Sequence, residues 1–188
     1  LYMADAEASA KAQAYLKECM AAQDSSGGVI ECRVSGLPAG LGTPVFDKLD
    51  ACLGKALFSI GAVKAVEIGD GIDAARAKGS SNNDGFFHDA DGAVKKSTNH
   101  AGGVLGGISD GSDLILRAHI KPTPSISSPQ NTVNQDGEDI QIRIKGRHDP
   151  VIVPRAVVVV ESMTALTLVD ALLTGMGARM ENLKKVWK

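Results

Sequence analysis

The stretch GVLGGISDGSDLILRAHI, Gly103–Ile120, decides the fold. Its Asp110-Gly111 pair stands between two strand-like runs, Gly103–Ser109 and Asp113–Ile120. Asp-Gly in that setting is a strong hairpin signal, because both residues tolerate the positive φ of a tight antiparallel turn. Asp84, Asp91 and Asp136 are also each followed by Gly. The runs Thr132–Gln135 and Asp139–Lys145 flank Asp136-Gly137, and the second alternates, with Ile140, Ile142 and Ile144 on one face. Antiparallel sheet is the expectation.

Working outward, the sequence predicts a helix from about Ala4 to Ala22, a strand over Val29–Val34 and a Gly/Pro loop over Leu37–Thr43. Thr43, Pro44 and Asp47 read as a helix start, with an N-cap, a first-turn proline and a first-turn acid, running to about Phe58. Ala62–Ile68 reads as a strand, Ile72–Lys78 as a short helical stretch and Ser80–Gly85 as a mobile loop. After Pro150 a long helix is expected, with Pro154 in its first turn and an apolar face through Met163, Leu166, Val169 and Leu173, ending near Gly175 or Gly177. Valines 157–160 are poor helix formers, so burial must hold that turn helical. Long helices among antiparallel hairpins give an α+β fold class, one domain over residues 1–188.

Hydrophobic residues make up 44% and charged residues 22% of the chain, a globular balance that excludes a disordered or fibrous class. A net charge of −2 and 4% aromatics supply neither the basic field nor the stacking platform that nucleic acid requires. Cys19, Cys32 and Cys52 match no zinc or redox spacing and read as small core residues in a reducing cytosol. The apolar run Val151–Met176 is broken by Arg155, Glu161 and Asp170, and no leader opens the chain, so a cytoplasmic protein that does not span a membrane is expected. The first helix begins without a capping residue or initiator Met, as a fragment would.

Ala101–Ile108 invites a dinucleotide reading, but the glycine spacing is wrong and no helix follows. Glycines in a strand imply close approach of a ligand or of another backbone, and both remain open for this segment. Lys121, Pro122, Thr123, Pro124 and Ser125 combine an ammonium, two hydroxyls and two φ-fixing prolines, a stiff loop suited to a phosphate, or equally a solvated proline turn. Gly146–Pro150 sets Arg147, His148 and Asp149 between a strand and a helix; Arg can fork onto an anion and Asp can accept a proton, or the two can form an exposed pair. His88 reads as solvated and His119 as a hydrogen-bonded sheet residue.

Taken in order, GLGTPVF (Gly40–Phe46), VKAVEIGDG (Val63–Gly71), Thr98–Gly111, Lys121–Ser125 and Gly146–Pro150 resemble the C-terminal half of the chorismate synthase family, from about Gly28 to Leu173. The resemblance implies a layered β-α-β sandwich and a homotetramer. It implies a lyase that uses reduced FMN to eliminate phosphate from 5-enolpyruvylshikimate 3-phosphate in an anti 1,4 sense, giving chorismate. It places the FMN phosphate on Lys121 and Ser125 with Pro122, Thr123 and Pro124 shaping the loop, a close flavin approach at Gly106, and further FMN contact at Gly61 and Ala62. Many relatives carry Asn at the position of Gly61, so backbone contact alone is implied there. Arg147 would meet anionic groups of substrate or flavin, and Asp149 would manage the proton at flavin N5. His100 stands where the family varies and receives no role.

Two histidines and several arginines of the family's N-terminal half have no counterpart here, so the chain alone is expected to be inactive. Whether the parent enzyme reduces its flavin with NADPH stays open. The competing readings are a noncatalytic FMN- or phosphate-binding module and a structural interaction domain.

Overall fold

In the computed structural model, which describes residues 1–146 and 148–187, the Gly103–Ile120 stretch divides in two. The elements run α1 (Ala6–Ala21), β1 (Gly28–Val34), a 3-10 turn (Val45–Asp47), α2 (Leu49–Phe58), β2 (Val63–Ile68), a second 3-10 turn (Gly71–Arg76) and the one-turn α3 (Gly79–Asn82). There follow β3 (Phe86–His88), β4 (Val94–Lys96), β5 (Val104–Leu105), β6 (Ile108–Ser109), β7 (Leu114–Ile120), β8 (Gln130–Val133), β9 (Asp139–Ile142), α4 (Val153–Met176) and α5 (Met180–Val186).

β7 is the middle strand of an antiparallel sheet ordered β1-β7-β2. Ile120 faces Gly28 on one side and Val63 on the other, so the chain leaving β7 emerges between those two strand starts. Burial alternates strictly along β7, with Leu114, Leu116, Ala118 and Ile120 at 0–4% exposure. Onto that face α2 lays Leu49, Leu53 and Leu57, and α4 lays Val160, Thr164 and Leu168, each set at i, i+4, i+8 so that one stripe meets the sheet. The buried Thr164 hydroxyl donates to the Val160 carbonyl at 2.8 Å, which removes the cost of an unpaired polar group. The opposite face of the sheet is charged: Arg117 sits in register between Glu31 and Glu67 and donates to Glu31 at 2.8 Å and to the Gly69 carbonyl at 2.8 Å.

The α+β class and the antiparallel pairing stand. Asp91-Gly92 and Asp136-Gly137 turn the β3-β4 and β8-β9 hairpins, which pair internally and do not join the central sheet. Several local expectations are corrected. Gly103–Ser109 does not pair with β7; it closes on itself as β5-β6, with Gly106 and Gly107 at φ +60° and +87° in the turn. The Asp110 carboxylate accepts from Ser112 N, a local turn of its own, and from Lys96, so Asp110-Gly111 joins β6 to β7 without pairing them. Ser80–Gly85 is not a bare loop, since α3 occupies its first half and the Asp84 carboxylate is buried in its second.

Thr43 caps nothing. A 3-10 turn intervenes and Lys48 precedes α2. Conversely α1 does have a cap: Asp5 accepts from Ala8 N at 2.9 Å.

α4 begins with Pro154 in its first turn and ends at Gly177, as the sequence predicts. Its buried row is not the expected one. Leu166, Val169 and Leu173 are 64, 52 and 63% exposed, because the helix has turned Val160, Thr164 and Leu168 to the sheet instead. By length and composition α4 could cross a membrane; here its inner row packs on β1 and α2. Leu53→Ala should lower the unfolding free energy in urea by about 2–5 kcal/mol, whereas Leu166→Ala should change it by about 0.5 kcal/mol or less.

Candidate active site

Because β7 ends between the starts of β1 and β2, the Lys121–Ser125 loop is pinned from both sides. Lys121 N donates to the Ala62 carbonyl at 2.9 Å, joining the loop to the Gly61–Ala62 segment. Ala62 adopts φ +70°, a left-handed conformation that costs a non-glycine residue about 1–2 kcal/mol and is held here by the surrounding backbone. On the β1 side, Ser25 Oγ donates to the Thr123 carbonyl at 2.7 Å. A Cβ on Gly27 would stand 2.4 Å from the Ile120 carbonyl oxygen, so glycine is what lets the chain run beneath the loop. Gly61 has open space where a side chain would be, so an Asn at that position is sterically permitted.

Two features of the loop suit an anion. Thr123 Oγ1 is buried without a hydrogen-bond partner among the described residues, an arrangement that normally costs about 1–3 kcal/mol and that an anion bound at the loop would relieve. Lys121, half-buried, has no carboxylate within 4.0 Å among the described residues.

The second motif arrives at the same place. Ser26 N donates to the Pro150 carbonyl at 2.8 Å, drawing Gly146–Pro150 against the linker after α1. A cavity of about 300 Å³ results, lined by Ser125, His148 and Asp149 together with Gln23 and Asp24. Asp149 Oδ2 lies 2.8 Å from Arg155 Nη1 in the first turn of α4, a partner that no local signal announced. His148 Nε2 contacts the Ile144 carbonyl at 3.3 Å. Arg147 lies outside the described residues. A larger groove of about 510 Å³, formed by the N-terminal segment, α1, β1 and the start of α4, is apolar, with Glu31 its one charged side chain among the described residues. Convergent polar groups, not size, single out the smaller cavity.

Gly106 is not brought to this cavity. It sits at the apex of β5-β6, beside the Leu114 end of β7, and the loop leaves from the Ile120 end; seven residues of strand span roughly 20 Å. Close backbone contact explains Gly102 and Gly103, where a Cβ would lie 2.2 Å from Gly69 N and 2.7 Å from the Asp113 carbonyl oxygen, while at Gly107 a Cβ would meet the Lys48 side chain at 2.6 Å. Gly106 faces open space.

His88 is exposed, as expected. His119 Nε2 lies 3.3 Å from a Glu67 oxygen but is not aligned to hydrogen-bond with it. His100 Nδ1 lies 2.6 Å from Asp70 Oδ2 in a half-exposed pair.

Sequence reasoning missed a buried ion cluster in which Lys96 Nζ meets Asp110 at 2.7 Å and Asp84 at 3.1 Å. Burial opposes ionisation of Asp84, but hydrogen bonds from Thr98, the backbone of His100 and Ala101, and Lys96 hold its carboxyl far below the usual carboxylate range. Burial likewise opposes ionisation of Asp110, and Lys96 and Ser112 lower its pKa on balance. Three separated segments supply these residues, so spacing alone carries no signal of them.

An antiparallel α+β scaffold with an anion-suited loop at the end of its middle strand is thus the class that fold and site define. The family model described as chorismate synthase matches residues 1–173. Proteins named chorismate synthase from Lachnoclostridium phytofermentans and Agathobacter rectalis are each 63% identical over the whole chain and are covered to 51% of their own length. A solved structure described as the crystal structure of chorismate synthase matches with a TM-score of 0.73 at 32% identity, over 93% of this chain and 46% of that one. The chain belongs to the chorismate synthase family, and it spans about half the length of the curated relatives it matches.

Thr123→Val removes the unpaired hydroxyl while keeping its shape. The melting temperature should hold or rise, and affinity for inorganic phosphate in calorimetry should fall; a lower melting temperature with unchanged phosphate affinity would mark the hydroxyl as structural.

Proposed function

We propose that this chain is the C-terminal portion of a chorismate synthase, a lyase that converts 5-enolpyruvylshikimate 3-phosphate to chorismate and phosphate by anti 1,4-elimination with reduced FMN, in the shikimate route to aromatic amino acids. The observation that carries the reading is the meeting of Ser125, at the end of the anion-suited loop, with Asp149 in one cavity of a chain from this family. Lys121 and Ser125 would hold the FMN phosphate, with Thr123 Oγ1 gaining there the partner it lacks, and Pro122 and Pro124 limiting the entropy lost when the loop is fixed. Gly61 and Ala62 would offer backbone contact beside them, since Ala62 is already tied to Lys121.

Reduced FMN, held by Lys121 and Ser125, would supply electron density for departure of the phosphate and a basic nitrogen near the ring proton. Asp149, which pairs with Arg155, would manage that proton, and Arg147 would meet an anionic group of substrate or flavin. Gly106 stands a strand's length from this cavity, so the contact proposed there would be to the flavin ring, with the phosphate held at Lys121 and Ser125. The exposed outer row of α4 supports an α layer covered by the rest of a longer chain, as in a β-α-β sandwich. A cytoplasmic enzyme with no nucleic-acid or membrane partner completes the reading.

A noncatalytic flavin- or phosphate-binding module is the second reading, favoured by the one observation that Asp149 is already ion-paired. Asp149→Ala in the complete enzyme separates the two. Turnover should fall by about 10²-fold or more while FMN binding remains, as removal of a general acid-base group does. Unchanged turnover contradicts the assignment of Asp149; appreciable turnover by the 188-residue chain alone would contradict only the expectation that this portion is inactive by itself.

A further inference from the structure

The segment from Ala101 to Gly111 has little conformational preference of its own. Gly102, Gly103, Gly106, Gly107 and Gly111 all adopt positive φ in it, and glycine loses more freedom on ordering than any other residue. Its shape is therefore imposed from outside. The far side is held by the segment leading into α2, where Leu49 N donates to the Gly107 carbonyl at 2.8 Å and Gly40 N to the Ser109 carbonyl at 2.8 Å; the base is held by Lys96, 4% exposed, whose ammonium has three protons and meets three acceptors: Asp110 Oδ2 at 2.7 Å, Asn99 Oδ1 at 3.0 Å and Asp84 Oδ2 at 3.1 Å.

Each acceptor reaches on to the hairpin or its base. Asp84 accepts from His100 N at 2.8 Å and Ala101 N at 3.1 Å, which fixes the entry. Asn99 Oδ1 accepts from Gly103 N at 2.9 Å, and its amide donates to the Asp113 carbonyl at 2.8 Å, linking entry to exit. Asp110 accepts from Ser112 N at 2.8 Å, and its own N–H donates to the Gly103 carbonyl at 3.0 Å. The Asp84 and Asp110 carboxylates are 2% and 8% exposed, so water competes weakly for any of these bonds. One buried ammonium thus ties together the two ends of a glycine hairpin whose apex, Gly106, faces open space.

We propose that Lys96, acting through Asp110, Asn99 and Asp84, is the positioning residue that presents the Gly106 backbone to the flavin ring. The proposal rests on the reading of Gly106 as a flavin contact. Lys96 touches neither cofactor nor substrate; it sets the hairpin's shape, and the site inherits that shape as a preorganised wall.

The test uses the complete enzyme and compares Lys96→Met, Asp110→Asn and Gly106→Ala, reading FMN dissociation constant, the circular dichroism of bound flavin, far-ultraviolet dichroism and melting temperature. Lys96→Met should weaken FMN binding about tenfold or more and alter the flavin signal at a temperature where the far-ultraviolet spectrum is unchanged. Asp110→Asn, which keeps the shape and leaves Lys96 paired with Asp84, should shift both readouts the same way by a smaller factor, and it decides the matter if Lys96→Met does not fold. Gly106→Ala places a methyl at the apex and should weaken FMN binding independently. If Gly106→Ala perturbs the flavin but Asp110→Asn and folded Lys96→Met bind it as wild type, with melting temperature alone reduced, the cluster is merely structural and the proposal is overturned. If Gly106→Ala changes nothing, the flavin-contact reading fails and the proposal falls with it, an outcome told apart by the Gly106 arm alone.

Discussion

The structure depends on the alternating burial of β7. Leu114, Leu116, Ala118 and Ile120 point one way, and α2 and α4 cover them; Ile115, Arg117 and His119 point the other way, onto a charged sheet face. A one-residue slip in register would place Arg117 and His119 under Leu53 and Val160, so the pairing with β1 and β2 is fixed by the hydrophobic effect as much as by hydrogen bonds. Register in turn fixes where the chain leaves the sheet. Ile120 ends opposite Gly28 and Val63, and the loop after it is delivered to Ala62 on one side and to Ser25 on the other.

From that delivery the candidate site follows. The linker after α1 meets the end of the Lys121–Ser125 loop, Gly146–Pro150 joins the linker through Ser26 and Pro150, and the cavity forms where these backbones cross. Its functional groups lie on connecting segments held by a rigid sheet, which leaves them free to be polar while the core stays apolar. The half-buried Lys121 and the orphaned hydroxyl of Thr123 are tolerable in such a place because the stability they forgo is small beside that of the core stripe.

Elements with a local cause were legible in the sequence. Asp91-Gly92 and Asp136-Gly137 made their turns, Pro154 and Gly177 bounded α4, and the motif order carried the family. Features decided by distant partners were not. Asp110-Gly111 reads as a hairpin turn, but Ile108–Ser109 pairs back on Val104–Leu105, β7 pairs with β1 and β2, and the Asp110 carboxylate is engaged by Lys96, fourteen positions earlier. The inner row of α4 was misread because Leu166, Val169 and Leu173 are as apolar as Val160 and Leu168, and sequence periodicity alone does not say which of two greasy stripes meets the sheet. The Gly106–Gly107 turn was read as strand because two glycines between apolar pairs satisfy both patterns. In the site, the pairing of loop and Asp149 segment was foreseeable from the family order, whereas Arg155 as the partner of Asp149 was not.

If the loop leaving β7 is the phosphate end of an FMN site, as proposed, calorimetric titration of FMN into the complete enzyme with and without Lys121→Met will show it. Loss of a charge-assisted hydrogen bond to phosphate, about 1.5–3 kcal/mol, predicts a dissociation constant raised by about 10- to 100-fold. An unchanged dissociation constant in a folded Lys121→Met protein would contradict the account.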